Sequence, residues 1–448
     1  MTYKTYEEYR NIDNPFFKQI PHDWNIFKLK YITSSLESGK RKDFDDTAYA
    51  FSLGGEHINW DGTLNLTNKR YISQEFYNSM NKGKIQENDV LLVKDGATIG
   101  KTAFVDNLTQ KMAVNEHVFI VRHNNKVLPK LLYYLISSHI GFTQIKLTET
   151  GSAQGGISQD ISDKVEFIIP SNLTIQKQMI NYLDSKVTKI DATIVKNKEL
   201  IDLLNEKRVA LINQVVTKGL NPEVPMKDSG IEWIGKIPEH WDIMNLKRFS
   251  NKITQGPNPD LSSISDEKKY KILKTKDITD KEIKYESTDY ISSKSYLPFS
   301  NFKLMNNDIL VCIVGHGSIG KINIFREQDE EFIFTRAIGL LRPDTSIIEP
   351  YFVKYFFESK IGKELINSII EGSTGQEVVK TSKLGSLNIT YPTLNEQKAI
   401  VNYLNNENSK IYKTIDKITQ NIGLLEEYKT SLIHHVVTGK IDVRGEEI

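Results

Sequence analysis

Apolar residues recur every three or four positions along two long stretches of the chain, from Ile180 to Val215 and from Val401 to Val436. The repeating positions form one seam on each stretch: Ile180, Leu183, Val187, Ile190, Ile194, Ile201, Leu204 and Leu211, then Val401, Leu404, Ile411, Ile415, Ile418, Ile422, Leu425 and Leu432. A heptad seam of this length predicts two long helices that pair as a coiled coil. Long helices that each pack along a globular domain are the alternative.

The ends of both helices carry capping signals. Thr174 and Asn395 are the predicted N-caps, and each follows a proline by a few residues. Gly219 and Gly439 fit the carboxyl ends. The seam does not fix the orientation of the pair. We favour an antiparallel pair because a duplicated unit closes on itself most simply about a two-fold axis.

The segments before each long helix have a different pattern. Short runs rich in β-branched and aromatic residues, such as Val90–Val93 and Val118–Val121, alternate with Gly, Asn and Asp. These runs predict strands, with helices interspersed around residues 129–147 and 350–370. The predicted fold class is α+β, with two mixed domains separated by the helix pair and related by an approximate two-fold.

The sequence contains an internal repeat that covers most of its length. Its landmarks return 217 to 221 residues later: Ile20-Pro21 as Ile237-Pro238, Trp24 as Trp241, Tyr71-Ile72-Ser73 as Tyr290-Ile291-Ser292, Asn88-Asp89 as Asn307-Asp308, Ile99-Gly100-Lys101 as Ile319-Gly320-Lys321, and Gln176 as Gln397. A slowly drifting offset over ordered landmarks indicates a tandem duplication with small insertions. The expected domains are residues 1–170, a helix over 171–219, a linker over 220–236, a second domain over 237–391, and a helix and tail over 392–448.

The amino-acid composition restricts the possible functions of the chain less than the hydrophobic pattern and the internal repeat do. The 448 residues include 58 Lys and Arg against 57 Asp and Glu, so the net charge of +1 carries no signature of nucleic-acid binding. Cys312 is the only cysteine and lies in an apolar run, which predicts a buried thiol. The first residues have no apolar signal core, and no apolar run reaches the roughly 18–20 residues that span a membrane. The expected location is the cytoplasm.

The repeated motifs resemble the specificity subunit of type I restriction–modification systems over essentially the whole chain. The resemblance is carried by the Ile-Pro-x-x-Trp opening of each domain, by the segment Asp89–Lys101 with its second copy Asp308–Lys321, and by the helix opening from Pro392. The first helix opening, from Pro170, departs from the family because Ile175 stands where Glu is usual.

This resemblance implies two target recognition domains that each read one half of a split DNA site. It also implies that the paired helices dock two methyltransferase subunits, and that a motor and nuclease subunit joins in some complexes. The chain itself is expected to have no catalytic residue, no metal and no cofactor, with S-adenosylmethionine on the methyltransferase partners. The two domains diverge between landmarks, which predicts different half-sites and an asymmetric target.

Two glycine-rich motifs suggest that the chain itself could bind a nucleotide. Gly96–Thr102 ends in Gly-Lys-Thr but has only three residues between its glycines, whereas a nucleotide-binding loop needs four. Gly315–Ile322 has the right spacing but ends in Ile, which cannot bind Mg²⁺. A turn between strands is the preferred interpretation of both.

Asn14-Pro15-Phe16-Phe17 lacks the second proline of a methyltransferase motif.

Candidate DNA contacts are polar or basic residues of the loops and of the repeated turns that join strands: Lys40, Arg41, Lys42, Lys69, Arg70, Lys94, Lys101, Gln154, Lys274, Lys276, His316, Lys321 and Gln376. Lysine and arginine bind phosphates, and glutamine can read an adenine edge. For each residue a solvated surface side chain is the alternative. The competing function for the whole chain is a duplicated coiled-coil scaffold that binds proteins.

Overall fold

The structure is a computed structural model that describes residues 3–40, 48–68, 70–151, 155–259, 270–315, 317–372 and 377–446. The chain divides into two compact units. The first comprises Met1–Asn197 and Thr419–Ile448, and the second comprises Lys198–Ile418. Each unit contains one head, made of the strands and short helices, together with half of each long helix.

The strands of the first unit are β1 (Tyr9–Asn11), β2 (Gln19–Pro21), β3 (Trp24–Lys28), β4 (Thr33–Ser38), β5 (Ala50–Leu53), β6 (Tyr71–Ile72), β7 (Val90–Val93), β8 (Thr102–Phe104), β9 (Met112–Val114), β10 (Val118–His123) and β11 (Glu166–Pro170). Its helices are α1 (Leu29–Ile32), α2 (Gln74–Ser79), α3 (Pro129–Ser137), α4 (His139–Leu147), α5 (Ile161–Lys164) and the first half of α6 (Leu173–Lys218).

The strands of the second unit are β12 (Met226–Asp228), β13 (Lys236–Pro238), β14 (Asp242–Asn245), β15 (Ser250–Gln255), β16 (Tyr270–Leu273), β17 (Asp289–Ile291), β18 (Ile309–Cys312), β19 (Ile322–Ile324), β20 (Glu331–Phe334), β21 (Ile338–Pro343), β22 (Ile370–Glu371), β23 (Val378–Val379) and β24 (Asn388–Tyr391). Its helices are α7 (Ser293–Tyr296), α8 (Pro350–Glu358), α9 (Lys360–Ser368), α10 (Thr381–Ser386) and the first half of α11 (Leu394–Val437).

The two heads have the same sheet topology. The order β4-β10-β7-β8 in the first head returns as β15-β21-β18-β19 in the second, with antiparallel neighbours throughout. A three-stranded sheet, β6-β5-β9, returns as β17-β16-β20, each with one parallel pair. The duplication that the sequence predicts is therefore a duplication of fold.

The central strands are continuously apolar because the sheet is covered on both faces. Val90 and Leu92 of β7 pack into one core of the first head, while Leu91 and Val93 pack into another. In the second head β18 alternates in the same way, and Cys312 lies in the core on one face. Cys312 is a buried free thiol, as predicted, and its burial raises its pKa to about 12.

Two pairs of the shared landmarks, the tryptophans and the glutamines, are buried structural residues. Trp24 and Trp241 are both fully buried. The amide of Gln176 bonds the backbone of Leu128, Lys126 and Pro170, and Gln397 bonds Glu349, Ile347 and Pro392 in the same manner. These glutamines fasten the first turn of each long helix to its head, which explains why they recur in both copies.

The long helices pair within each unit, and their orientation is antiparallel. In the first unit the early part of α6 meets the late part of α11, where the Lys429 ammonium lies 2.8 Å from Asp191. In the second unit Arg208, late in α6, stacks over Tyr412, early in α11, at 5.2 Å. All sixteen predicted seam residues are buried or half-buried. The predicted coiled-coil pairing is thus confirmed within each unit.

The predicted N-caps were wrong by two residues. Asn172 caps α6, because its side-chain oxygen accepts the backbone N–H of Thr174 at 2.8 Å. Thr393 caps α11 by accepting the N–H of Glu396 at 3.4 Å. Thr174 and Asn395 already lie in the first helical turn, where their own N–H groups need acceptors. The predicted helix ends are correct: Gly219 and Gly439 have φ of +74° and +66°.

Candidate nucleic-acid interface

Four strand ends meet at one edge of the four-stranded sheet in each head. In the first head this edge consists of the residues after β4, the turn before β10, and the segment between β7 and β8. Lys40, Lys94 and Lys101 all lie on it. In the second head Lys321 occupies the equivalent place before β19. We call this region the turn edge of each head.

The glycine segments that suggest nucleotide binding are turns of this edge. Gly96 and Gly100 have φ of +81° and +94°, and Gly100 donates to Val93 at the end of β7. Gly320, with φ of +83°, donates to Cys312 in the same way. Each segment leads into a strand, whereas a phosphate-binding loop leads into a helix whose N-terminus holds the phosphate. The structure therefore supports the interpretation as a turn.

The lysines of the first turn edge lie against aromatic rings and carboxylates. Lys94 lies 2.9 Å from Asp95 and over the ring of Phe119 at 5.5 Å. Lys101 lies over the ring of Trp60 at 5.7 Å, and Trp60 is 62% exposed. A cation beside an exposed indole is an arrangement that can contact both a phosphate and a sugar or base face.

The remaining described candidates flank the turn edge and are ion-paired. Arg70 lies 2.7 Å from Glu56 in the first head. In the second head Lys274 and Lys276 lie 2.5 Å and 4.0 Å from Asp289. Side chains held in such pairs have to exchange partners before they can bind a phosphate, so they are weaker anchors than unpaired lysines. Arg41, Lys42, Lys69, Gln154, His316 and Gln376 lie outside the described residues.

Sequence reasoning missed the residues at the tip of the turn edge. In the first head His117 lies 3.0 Å from Asp95 through Nδ1 and 3.3 Å from Glu116 through Nε2. In the second head the exposed Arg336 lies in the matching turn. Isolated polar residues give no signal by themselves. A register-by-register comparison of the two copies would have found them as differences inside a shared frame.

In the part of the chain that the structure describes, no three His, Cys, Asp or Glu side chains are grouped so that they could hold a metal ion. Within the same residues, no helix combines the length and apolarity needed to cross a membrane.

Comparison with known proteins agrees with the duplicated architecture. The family model described as type I restriction modification DNA specificity domain matches twice, at residues 21–202 and 238–427. The chain is 27% identical over 438 residues to a putative type I restriction enzyme MjaX specificity subunit of Methanocaldococcus jannaschii, with 95% of each chain covered. It is also 27% identical over 237 residues to the type I restriction enzyme EcoBI specificity subunit of Escherichia coli, covering 51% of this chain and 48% of that protein.

A solved structure shares the fold. A chain from work described as "Structural basis underlying complex assembly and conformational transition of the type I R-M system" superposes with a TM-score of 0.64 at 16% identity, covering 94% of this chain and 99% of that one. Since the family model matches both repeats, this chain belongs to the type I restriction–modification DNA specificity family.

Proposed function

We propose that the chain reads a bipartite, asymmetric DNA target for a type I restriction–modification complex, with one half-site bound at the turn edge of each head. The observation that carries this proposal is that both heads have the same sheet topology but carry different side chains at the tip of the turn edge. Equivalent strands and buried landmarks hold both turn edges, while the residues at their tips differ, as the half-buried Glu116 and the exposed Arg336 do. Two heads that share a fold but differ in their surface residues are suited to bind two half-sites of different sequence.

The helix pair suits a spacer that also docks methyltransferase subunits. Leu203 of α6 and Leu424 of α11 are equivalent residues, and they are 59% and 64% exposed. One such leucine lies in each unit, on a helix whose seam is already used for pairing. Equivalent exposed leucines support two copies of one partner rather than one, because each copy can use the same contact. Motor and nuclease subunits would join the complex through these partners.

In this proposal the chain itself catalyses no reaction. S-adenosylmethionine belongs to the methyltransferase partners, and this chain selects the DNA that they modify. The near-neutral net charge is compatible with this role, since specificity depends on contacts to base edges rather than on net charge.

The test compares the purified chain with the chain reconstituted with its methyltransferase subunits. We expect methyl transfer to DNA only from the reconstituted complex, at a split target, and binding that weakens steeply with salt. Methyl transfer by the chain alone would contradict the non-catalytic role. Protein binding at the heads without sequence-selective DNA binding would support the scaffold function instead.

A further inference from the structure

The turns at the tip of the two turn edges are held by the same backbone hydrogen bonds. In the first head Asn115 N–H donates to Leu53 at 2.9 Å, and Lys94 N–H donates to His117 at 2.9 Å. In the second head Thr335 N–H donates to Leu273 at 3.0 Å, and Ile313 N–H donates to Ala337 at 2.9 Å. This matching register makes Glu116 the structural equivalent of Arg336, and His117 the equivalent of Ala337.

The charge at this position is reversed between the heads, and so is the flanking ion pair. Glu56 and Arg70 form the pair in the first head, and the equivalent residues Lys276 and Asp289 carry the opposite signs. The backbone frame is unchanged by these reversals. They therefore alter what the turn edge presents to a ligand without altering how the head folds.

The surroundings of Arg336 leave its guanidinium available. No ion pair or hydrogen bond engages it among the residues that the structure describes, and its side chain is exposed. The neighbouring positions that hold Lys94, Asp95 and His117 in the first head are Ile313, Val314 and Ala337 in the second. A free guanidinium beside small or apolar side chains can approach a base edge without a competing carboxylate.

We propose that Arg336 is a specificity-determining residue, which reads a guanine of the half-site bound by the second head through paired hydrogen bonds to O6 and N7. This assignment rests on the proposed function. The reversal of charge argues for a base contact over a phosphate contact. A phosphate lies at every position of both half-sites, so a shared phosphate anchor requires a cation in both heads. A base contact permits Glu116 in the first head, because a carboxylate accepts from the amino group of cytosine.

The test is a binding selection from DNA in which both half-sites are randomised. It uses the full chain with its methyltransferase subunits and compares the wild type with Arg336→Ala and Arg336→Lys. We expect the Ala variant to lose preference for guanine at one position of one half-site by about 5- to 150-fold, with the other half-site unchanged. The Lys variant should retain part of this preference, since an ammonium on a flexible stem can donate to O6 and N7 but lacks the rigid planar fork of a guanidinium.

Arg248→Ala is the matched control. Arg248 is an exposed arginine of the same head at the opposite end of β15, and its loss should leave every base preference intact. The proposal is overturned if Arg336→Ala weakens all sequences equally and lowers the salt dependence by about one ion, because that result marks a phosphate contact. An unchanged preference also overturns it. A wild-type complex that selects no split site would instead show that the proposed function is wrong.

Discussion

The two buried tryptophans, Trp24 and Trp241, occupy equivalent positions but differ in the hydrogen bonding of the indole N–H, so their contributions to the stability of the two heads should differ. Trp241 donates its indole N–H to Glu396 at 2.9 Å, and Glu396 also lies 3.0 Å from His240. The equivalent of Glu396 in the first copy is Ile175, and none of the described residues accepts a hydrogen bond from the buried Trp24 indole N–H. One substitution between the copies thus leaves one donor bonded and the other orphaned.

Replacing Glu396 with Ile should orphan the second donor as well. An unsatisfied buried donor costs about 1–3 kcal/mol, and the exposed pair with His240 adds little. Glu396→Gln keeps an acceptor and should cost below about 1 kcal/mol. The converse change, Ile175→Gln in the first head, should be neutral or stabilising by up to about 1 kcal/mol, because the hydrogen bond gained by the indole N–H of Trp24 equals or exceeds the packing lost at the half-buried Ile175.

Amide hydrogen exchange measured by mass spectrometry suits this experiment, because it reports on each head separately. Glu396→Ile should speed exchange in the segment around β13 and β14 by about 5- to 150-fold, which is the same 1–3 kcal/mol expressed as an opening constant. The segment around β2 and β3 should be unchanged. Equal effects of the Ile and Gln variants would refute the hydrogen-bond explanation, because only one of them removes the acceptor.

Three further predictions concern pH, glycine and the helix pair. Burial lowers the pKa of His434 to about 4 from its ordinary 6.5, so the folded state favours the neutral ring. Its stabilising contribution is full above pH 6.5 and is lost as the pH falls toward 4; His434→Gln should flatten this acid loss in thermal melts, while the exposed His22→Gln should not. Gly362→Ala should lower the melting temperature because its Cβ would lie 2.1 Å from the Phe356 carbonyl, whereas Gly423→Ala on α11 meets nothing within 4 Å and should raise stability by about 0.5–1 kcal/mol. Inserting one heptad after Asn197 and one after Ile418 should lengthen the gap between half-sites by about three base pairs, since seven residues rise about 10.5 Å; methylome mapping that finds altered half-sites with an unchanged gap would contradict the spacer role.

Patterns with a fixed period could be predicted from the sequence. The seam of α6 and α11, the strand runs such as β7, and the duplicated landmarks all depend on which residues are buried, and burial leaves a period in the sequence. The family resemblance also located Ile175 as a departure. Only the structure shows its consequence, which is the unsatisfied indole of Trp24.

The details of caps and of the turn edge could not be predicted. Asn172 and Thr174 are both good N-cap residues two positions apart, and the choice between them depends on where the preceding strand β11 ends. Glu116 and Arg336 are single polar residues in short turns, and no period marks them. Their importance appears only when hydrogen-bond registers show that they occupy the same place in two heads.

The most direct test of the account is base-resolution mapping of methylated sites in DNA treated with the reconstituted complex. The expected result is one target made of two short, different half-sites separated by a fixed number of unread base pairs. A continuous target, two identical half-sites, or methylation without sequence preference would contradict it.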